Sequence, residues 1–459
     1  MKTLWTSDEI AVATGGTASV PFAVSGVAFD SREVGQGDLF VAMRGETTDG
    51  HRFLDRAYAA GAAGAIVEQP VDGPHVLVQD SARALEALGV ASRARMTGKV
   101  IGVTGSVGKT GTKEALFHAL DRSAHDAVHR SLKSYNNHVG VPLSLARMPR
   151  DTRYGIFEMG MNHAGELSIL TRFVRPHVAI VTAIAPAHIE YFGTEEAIAR
   201  AKAEIFEGLE PGGTAIIPYD SPHVRTLCTA AERHGAHILT FGTSKGADVR
   251  VVEAVANDHG GTLLTAHLPT AEISLTIGAP GEHWVSNSLA VLAAVEAVGG
   301  DLAAAGIALA EMPGLAGRGA RSIVPVAGGE ALLIDESYNA NPLSMAATLR
   351  QLGREQADRR IAVLGAMKEL GSQSAALHAG LADPISAGRV DYAILVGEDM
   401  APLADVLEGV VPFAHVPDAG AATGVLEHEM RAGDAILVKG SNSVGLSRVV
   451  AALSHEEKD

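Results

Sequence analysis

Apolar residues in this chain cluster in short β-branched runs, each broken by glycine or a polar turn. Residues 100–104 (VIGVT) form the first clear run and stop at Gly105. The stretch 113–120 (KEALFHAL) then has helical spacing. Further buried-strand runs follow at 154–160 (YGIFEMG), 178–185 (VAIVTAIA), 214–220 (TAIIPYD) and 237–242 (HILTFG). Short continuous apolar runs bounded by turn residues, with helical stretches between some of them, predict a doubly wound, mostly parallel sheet. Four more such runs, at 331–336, 361–367, 392–398 and 435–440, predict a second open sheet. The first 97 residues alternate shorter strand patterns with Gly/Asp turns, as a small α/β unit would. Between the two larger blocks, MPGLAGRGARS (312–322) has the glycine content of a linker. The fold class predicted is therefore α/β in three domains: 1–97, small and N-terminal; 98–312, a central phosphate-binding domain with a mostly parallel sheet; and 313–459, a Rossmann-like C-terminal domain.

Composition fits this picture. The chain has 459 residues, 47% hydrophobic and 20% charged, a length that suggests about three domains. A single cysteine, Cys228, excludes an intramolecular disulfide and fits a cytoplasmic setting. The start, MKTLWTSDEI, lacks the apolar stretch of a signal peptide. No run of about 18 apolar residues predicts membrane insertion, since even 289–298 is interrupted by Glu296. The net charge of −16 with no basic block argues against sequence-independent nucleic-acid binding, so a phosphate ligand needs a local site.

Residues 104–113 (TGSVGKTGTK) supply that site. A strand, a glycine turn and a helix N-terminus form an anion cradle, with Lys109 as point charge and Thr110 as a magnesium-binding hydroxyl. Other candidates occupy strand ends. Glu158 closes the 154–160 run, where a carboxylate either holds Mg²⁺ or is merely solvated. His188 follows the 178–185 run and is either functional or structural. Thr194 is an N-cap candidate, with Glu195 and Glu196 in the first turn and Ile198, Ala201, Ile205 and Leu209 on one apolar face. Lys202 on that helix is either partly desolvated, exposing a neutral amine, or extended to water. Two asparagine-rich loops, 133–142 and 334–342, offer neutral donors suited to amides and sugars; Asn341 is also placed to cap a helix beginning at Pro342.

Taken in order, TGSVGKTGTK, YNNHVGVPLSL, EMGMNHAGEL, APAHIEYFGT, AKAEIFEGL, PGEHWVSNSLA, GRG, IDESYNANPLSM and LVKGS resemble the Mur ligases, ATP-dependent amide-forming enzymes of peptidoglycan synthesis. The SYNANP and EMGMNHAGEL stretches resemble the branch that joins D-alanyl-D-alanine to UDP-N-acetylmuramoyl-tripeptide. The resemblance implies an N-terminal UDP-sugar domain, a central ATPase and a C-terminal lid. It implies that Gly105, Ser106, Val107, Gly108, Lys109, Thr110 and Gly111 hold ATP phosphates, with Asn287 near adenine, Glu336 near ribose and Arg318 on phosphate. Thr110, Glu158, His188 and Lys202 would serve two Mg²⁺, Lys202 as a carbamate. Lys109, His188, Lys202 and Arg318 would be catalytic. Ser31, Glu46, Thr47, Thr48, Asn136, Asn137, Tyr338, Asn339 and Asn341 would contact the UDP-muramoyl-peptide or its partner dipeptide. A monomer is expected. The chain departs from the family pattern at Asp335–Glu336 (usually Asp-Asp), at Ala366 (usually Asp) and at 218–221 (PYDS for Asn-Ala-Asp-Asp). The rival readings are the sister ligase adding the third amino acid, whose Asp-Asn-Pro-Arg segment is absent, and a P-loop regulatory switch.

Overall fold

The computed structural model describes residues 2–45, 48–186, 189–256 and 261–454. Among the described residues three large sheets follow one another along the chain, beside a two-stranded antiparallel ribbon of Trp5–Thr6 and Ala23–Val24. The first has five strands in the order Thr17–Ala18, His75–Leu77, Gly64–Val67, Asp38–Val41, Gly26–Ala28; only the first pair is antiparallel. Leu39, Val41, Ile66 and Val76 form a core with Leu85 and Leu88 of the helix Ser81–Arg95, which Asp80 caps.

The central sheet has nine strands. Its order is Val128–Arg130, Tyr154–Glu158, Lys99–Thr104, Val178–Val181, Thr214–Pro218, His237–Gly242, Val249–Ala256, Thr262–His267, Glu272–Ile277. The first seven run parallel, and those at the middle of the sheet, Tyr154–Glu158, Val178–Val181 and Thr214–Pro218, are buried along their whole length. The last two are antiparallel, an edge that the apolar runs did not predict. The reason is burial on one face only. In Glu272–Ile277, Leu275 and Ile277 are buried while Glu272, Ser274 and Thr276 face solvent. Such alternation leaves no continuous apolar run in the sequence. Lys99–Thr104 lies between Tyr154–Glu158 and Val178–Val181, so the direction of winding reverses at its C-terminal end, where a crevice opens.

The third sheet runs Ala320–Val326, Gly329–Glu336, Asp434–Lys439, Arg359–Gly365, Tyr392–Val396, Phe413–Val416, with only the first pair antiparallel. The linker reading of 312–322 therefore needs correction at its end: from Ala320 the chain is already an edge strand. Pro325 is tolerated there because an edge N–H need not pair. The predicted Thr194 helix also changes character. Glu195–Ala203 is α-helical, with Thr194 accepting from the Ala197 N–H, but Glu204–Gly208 tightens into a 3₁₀ turn. No helix among the described residues is long and apolar enough to cross a membrane.

Candidate functional site

The cradle is built on backbone that only glycine accepts. Gly105 has φ +150°, and a Cβ there would lie 1.9 Å from the Thr182 hydroxyl. Gly108 takes φ +84° at the N-cap of the helix Lys109–Ala124, with the Asn287 side-chain oxygen 2.8 Å from where a Cβ would be. The turn is pinned to the exit of Val178–Val181. The Ser106 N–H donates to the Ala183 carbonyl (2.7 Å), and the Ser106 hydroxyl both donates to and accepts from Ala185 (3.0 Å each). The Thr182 hydroxyl donates to the Val107 carbonyl at 2.5 Å. Ser106 thus spends its polar atoms on rigidity. The first-turn amides of the helix have no intrahelical acceptor and so form a donor array suited to an anion. Lys109 folds back, donating from Nζ to the Gly105 carbonyl at 2.7 Å. Burial pulls its pKa below the ordinary lysine value and Arg318 adds to this, while Glu158 opposes both.

Glu158 is 1% exposed. It accepts from the Thr110 hydroxyl at 2.9 Å and from the Asn136 amide at 2.7 Å, and its own N–H donates to the Ser131 hydroxyl at 2.9 Å. The nearest cation is Lys113, 4.0 Å from Oε2. A buried carboxylate beside a hydroxyl at the phosphate turn is the oxygen donor set that Mg²⁺ takes, with substrate phosphates completing it. Among the described residues no group of three or more His, Cys, Asp or Glu could hold a metal by itself.

Lys202 is 1% exposed, so it does not extend to water. Burial lowers its pKa well below the usual value and the Lys109 charge lowers it further, against Glu204. Glu204, two residues on, accepts from the N–H groups of Gly165 (2.8 Å) and Ser168 (3.2 Å), fixing this turn against the 160–168 segment. His188 lies outside the described residues, as do Glu46 and Thr47.

The opposite wall comes from the third sheet. Arg318 lies over the Tyr338 ring, 4.2 Å from its centroid. Asp335 joins linker to loop: its carboxylate accepts from the Gly317 N–H (2.7 Å), the Ser337 N–H (3.0 Å) and the Ser337 hydroxyl (2.6 Å). Glu336 accepts from Lys439 at 3.2 Å, and Lys439 also donates to the Asn339 carbonyl at 3.0 Å. Asn341 spends its side-chain oxygen on the Ser344 N–H (2.9 Å), capping the helix Pro342–Leu352. Neither Asp335 nor Lys439 was among the sequence candidates. The Asp-Glu pair pointed to the first; Lys439, ending a buried strand, had the same signal as Glu158.

The cleft between these walls encloses about 490 Å³. Its lining brings together Ser106 to Gly111, Asn136, Glu158, Asn287, Arg318, Glu336, Tyr338, Asn339 and Asn341. Lys202, Asn137, Ser31 and Thr48 do not line it. Asn137 caps locally, accepting from the Gly140 N–H at 2.9 Å. Ser31 is buried and Thr48 exposed in the N-terminal unit. That unit reaches the central one through Glu33, which accepts from Lys133 (2.5 Å) and Tyr135 (2.7 Å).

Comparison with known proteins agrees with this architecture. The Mur ligase family catalytic domain matches residues 23–97, the Mur ligase middle domain 103–295, and the Mur ligase glutamate ligase domain 323–442. The UDP-N-acetylmuramoyl-tripeptide–D-alanyl-D-alanine ligase of Synechocystis sp. is 34% identical over 442 residues, 94% of this chain and 92% of that protein. This chain belongs to the Mur ligase family. Crystal structure I of MurF from Acinetobacter baumannii superposes with a TM-score of 0.85 at 30% identity, covering 98% of this chain and 99% of that one. The MurF ligase of Thermotoga maritima in complex with ADP gives 0.77 at 27% identity, over 94% and 98%. As in those family members, the fold is mixed α/β with mostly parallel sheets.

Proposed function

We propose that this chain uses ATP to join D-alanyl-D-alanine to UDP-N-acetylmuramoyl-tripeptide, forming the UDP-muramoyl-pentapeptide of peptidoglycan synthesis. The observation that carries this reading is the single cleft in which a phosphate turn, a buried carboxylate, Arg318 and the 336–341 loop converge. The names of the relatives matched over nearly the whole chain support the same substrates.

The chemistry follows from the groups present. A carboxylate oxygen of the tripeptide attacks the γ-phosphorus of ATP; the bond to ADP breaks and an acyl phosphate forms. The amine of D-alanyl-D-alanine then attacks the acyl carbon, phosphate leaves and the ammonium proton is released. Carboxylate and triphosphate repel one another, and this chain answers with fixed positive groups. Lys109 and Arg318 face the phosphates, as do the amides of the Gly108–Gly111 turn, held in place before reaction. Thr110 and Glu158 would hold Mg²⁺, which offsets phosphate charge when bound. Asn287 packs beside Gly108 and would flank the base, with Glu336 at the ribose. Tyr338, Asn339 and Asn136 line the side toward which the muramoyl-peptide would extend, and Ser31 and Thr48 belong to the unit that would grip uridine diphosphate. Lys202, whose burial holds its pKa well below the ordinary lysine value, is suited to carbamate formation with CO₂, which turns an amine into a carboxylate-like ligand. His188, outside the described residues, would by the family resemblance help place a second Mg²⁺.

The test is ADP release measured with each substrate omitted in turn. Turnover is expected only with ATP, UDP-N-acetylmuramoyl-tripeptide and D-alanyl-D-alanine together. Turnover indifferent to D-alanyl-D-alanine would overturn the assignment.

A further inference from the structure

Behind the cleft, and absent from its lining, lies a lysine that the reaction above does not use. Lys113 is one turn after Lys109 on the helix Lys109–Ala124 and is fully buried. An ammonium held out of water has to be paired and hydrogen-bonded. Lys113 has three partners. Its Nζ donates to the Lys133 carbonyl at 2.8 Å, lies 2.9 Å from Glu114 Oε1, and lies 4.0 Å from Glu158 Oε2. One cation therefore touches the carboxylate of the candidate magnesium site and the backbone of the 131–137 loop.

That loop meets Glu158 twice more, through Asn136 and Ser131. On its far side the N-terminal unit clasps it, because Lys133 and Tyr135 both donate to Glu33 and the Phe29 and Tyr135 rings lie 5.9 Å apart. Lys133 itself takes φ +51°, a left-handed conformation unusual for lysine. Its carbonyl is held by Lys113 and its ammonium by Glu33. A residue kept in a sparsely populated conformation needs surroundings that over-determine it, and here those surroundings belong to two different domains.

We propose that Lys113 is a positioning residue that couples the nucleotide end of the cleft to the muramoyl-nucleotide end through the 131–137 loop. The inference rests on the functional reading above. When the charge of Glu158 is shared with a bound cation, Lys113 bears more fully on the Lys133 carbonyl. The loop is then fixed in the form that Glu33 also holds. Each ligand thereby strengthens the other, and linkage makes the effect equal in both directions.

The experiment is calorimetric titration of a non-hydrolysable ATP analogue with Mg²⁺, with and without saturating UDP-N-acetylmuramoyl-tripeptide. It compares the wild type with Lys113→Met and Glu33→Gln, and thermal unfolding of each variant reports whether it folds. The wild type is expected to bind the analogue on the order of 10-fold more tightly when the second ligand is present. In both variants that factor is expected to fall to about 1–2, because each cuts the same path. Should Lys113→Met fail to fold, Glu33→Gln decides, since it breaks the path at the domain boundary. Unchanged coupling in a folded variant, or no coupling in the wild type although both ligands bind, overturns the proposal and leaves the functional reading intact. Failure of the wild type to bind the muramoyl nucleotide overturns both.

Discussion

Glu158→Gln removes a charge while keeping the shape, and its effects can be worked out bond by bond. The carboxylate accepts from Thr110 on Oε2 and from Asn136 on Oε1. The glutamine must keep its oxygen toward the Asn136 amide, because two NH₂ groups cannot face each other. Its nitrogen then faces Thr110, whose hydroxyl rotates to accept, and also Lys113, 4.0 Å from Oε2. Both hydrogen bonds survive but lose charge assistance, roughly 1–3 kcal/mol in sum. Burying a neutral amide instead of an anion offsets part of that. Stability should therefore change by no more than about 2 kcal/mol. Activity should change far more. Without the anion the Thr110 corner no longer holds a divalent cation, and a loss of order 10³ in kcat, about 4 kcal/mol, is expected. The assay is ADP release across a Mg²⁺ titration, alongside thermal unfolding. A variant within about threefold of wild type at saturating Mg²⁺ would refute the idea that the charge of Glu158 organises this corner.

Three other outcomes are expected. Gly105→Ala should destabilise the fold by about 2–5 kcal/mol in chemical denaturation, since strain at φ +150° adds to displacement of the buried Thr182 hydroxyl from the Val107 carbonyl. A stability equal to wild type would mean that the turn is not rigid. Lys202→Met should keep or raise the melting temperature, because a buried depressed amine is replaced by an apolar isostere, while ADP release falls by on the order of 10²-fold or more; a carbamate carbon signal from ¹³C-bicarbonate should appear in the wild type only, and its absence there removes the carbamate role. His129 is held by burial at a pKa of about 4, against an ordinary 6.5, with Nε2 on the Ser144 carbonyl. The unfolded chain takes up that proton first, so stability is full above pH 6.5 and falls as pH drops toward 4. Allowing for its partial exposure, His129→Gln should recover about 2 kcal/mol of that acid loss, measured as denaturation free energy at pH 7 and pH 4.5.

What could be read from the chain beforehand depended on the range of the interaction. The phosphate turn was legible because its signal is local: a strand, two glycines with special backbone angles and a helix start lie within a dozen residues. Thr194 and Asn341 were legible as caps for the same reason. The antiparallel edge of the central sheet was not, because strands with one buried face dilute their apolar residues with Glu272, Ser274 and Thr276. The burial of Lys202 was read only halfway. Helical spacing gives a lysine apolar neighbours on its own helix, but it cannot say whether other segments close over the ammonium. Lys113 was missed outright, since the carbonyl that holds it, that of Lys133, is 20 residues away; Lys439 carried the strand-end signal, but its pairing with Glu336, 103 residues away, was not legible.

Arg318 shows why the cleft needs contacts of that long-range kind. It precedes the third sheet, on a segment whose glycines suggested a loose tether between domains. Its neighbours tie it to the loop after Gly329–Glu336 instead. The Gly317 N–H is held by the Asp335 carboxylate, the Gly319 N–H by the Asp335 carbonyl (2.8 Å), and the Tyr338 N–H donates back to the Gly317 carbonyl (3.1 Å). With its guanidinium over Tyr338, Arg318 is anchored to the C-terminal domain. Its charge therefore reaches the phosphate turn only when that domain is docked. A net charge of −16 leaves no general attraction for anionic substrates, so local cations must arrive with the walls that carry them. Docking of the third domain would then be what brings this arginine to the phosphate turn, and the linker glycines serve the tight turn at Gly317 and Gly319 (φ +71° and +93°) that holds it.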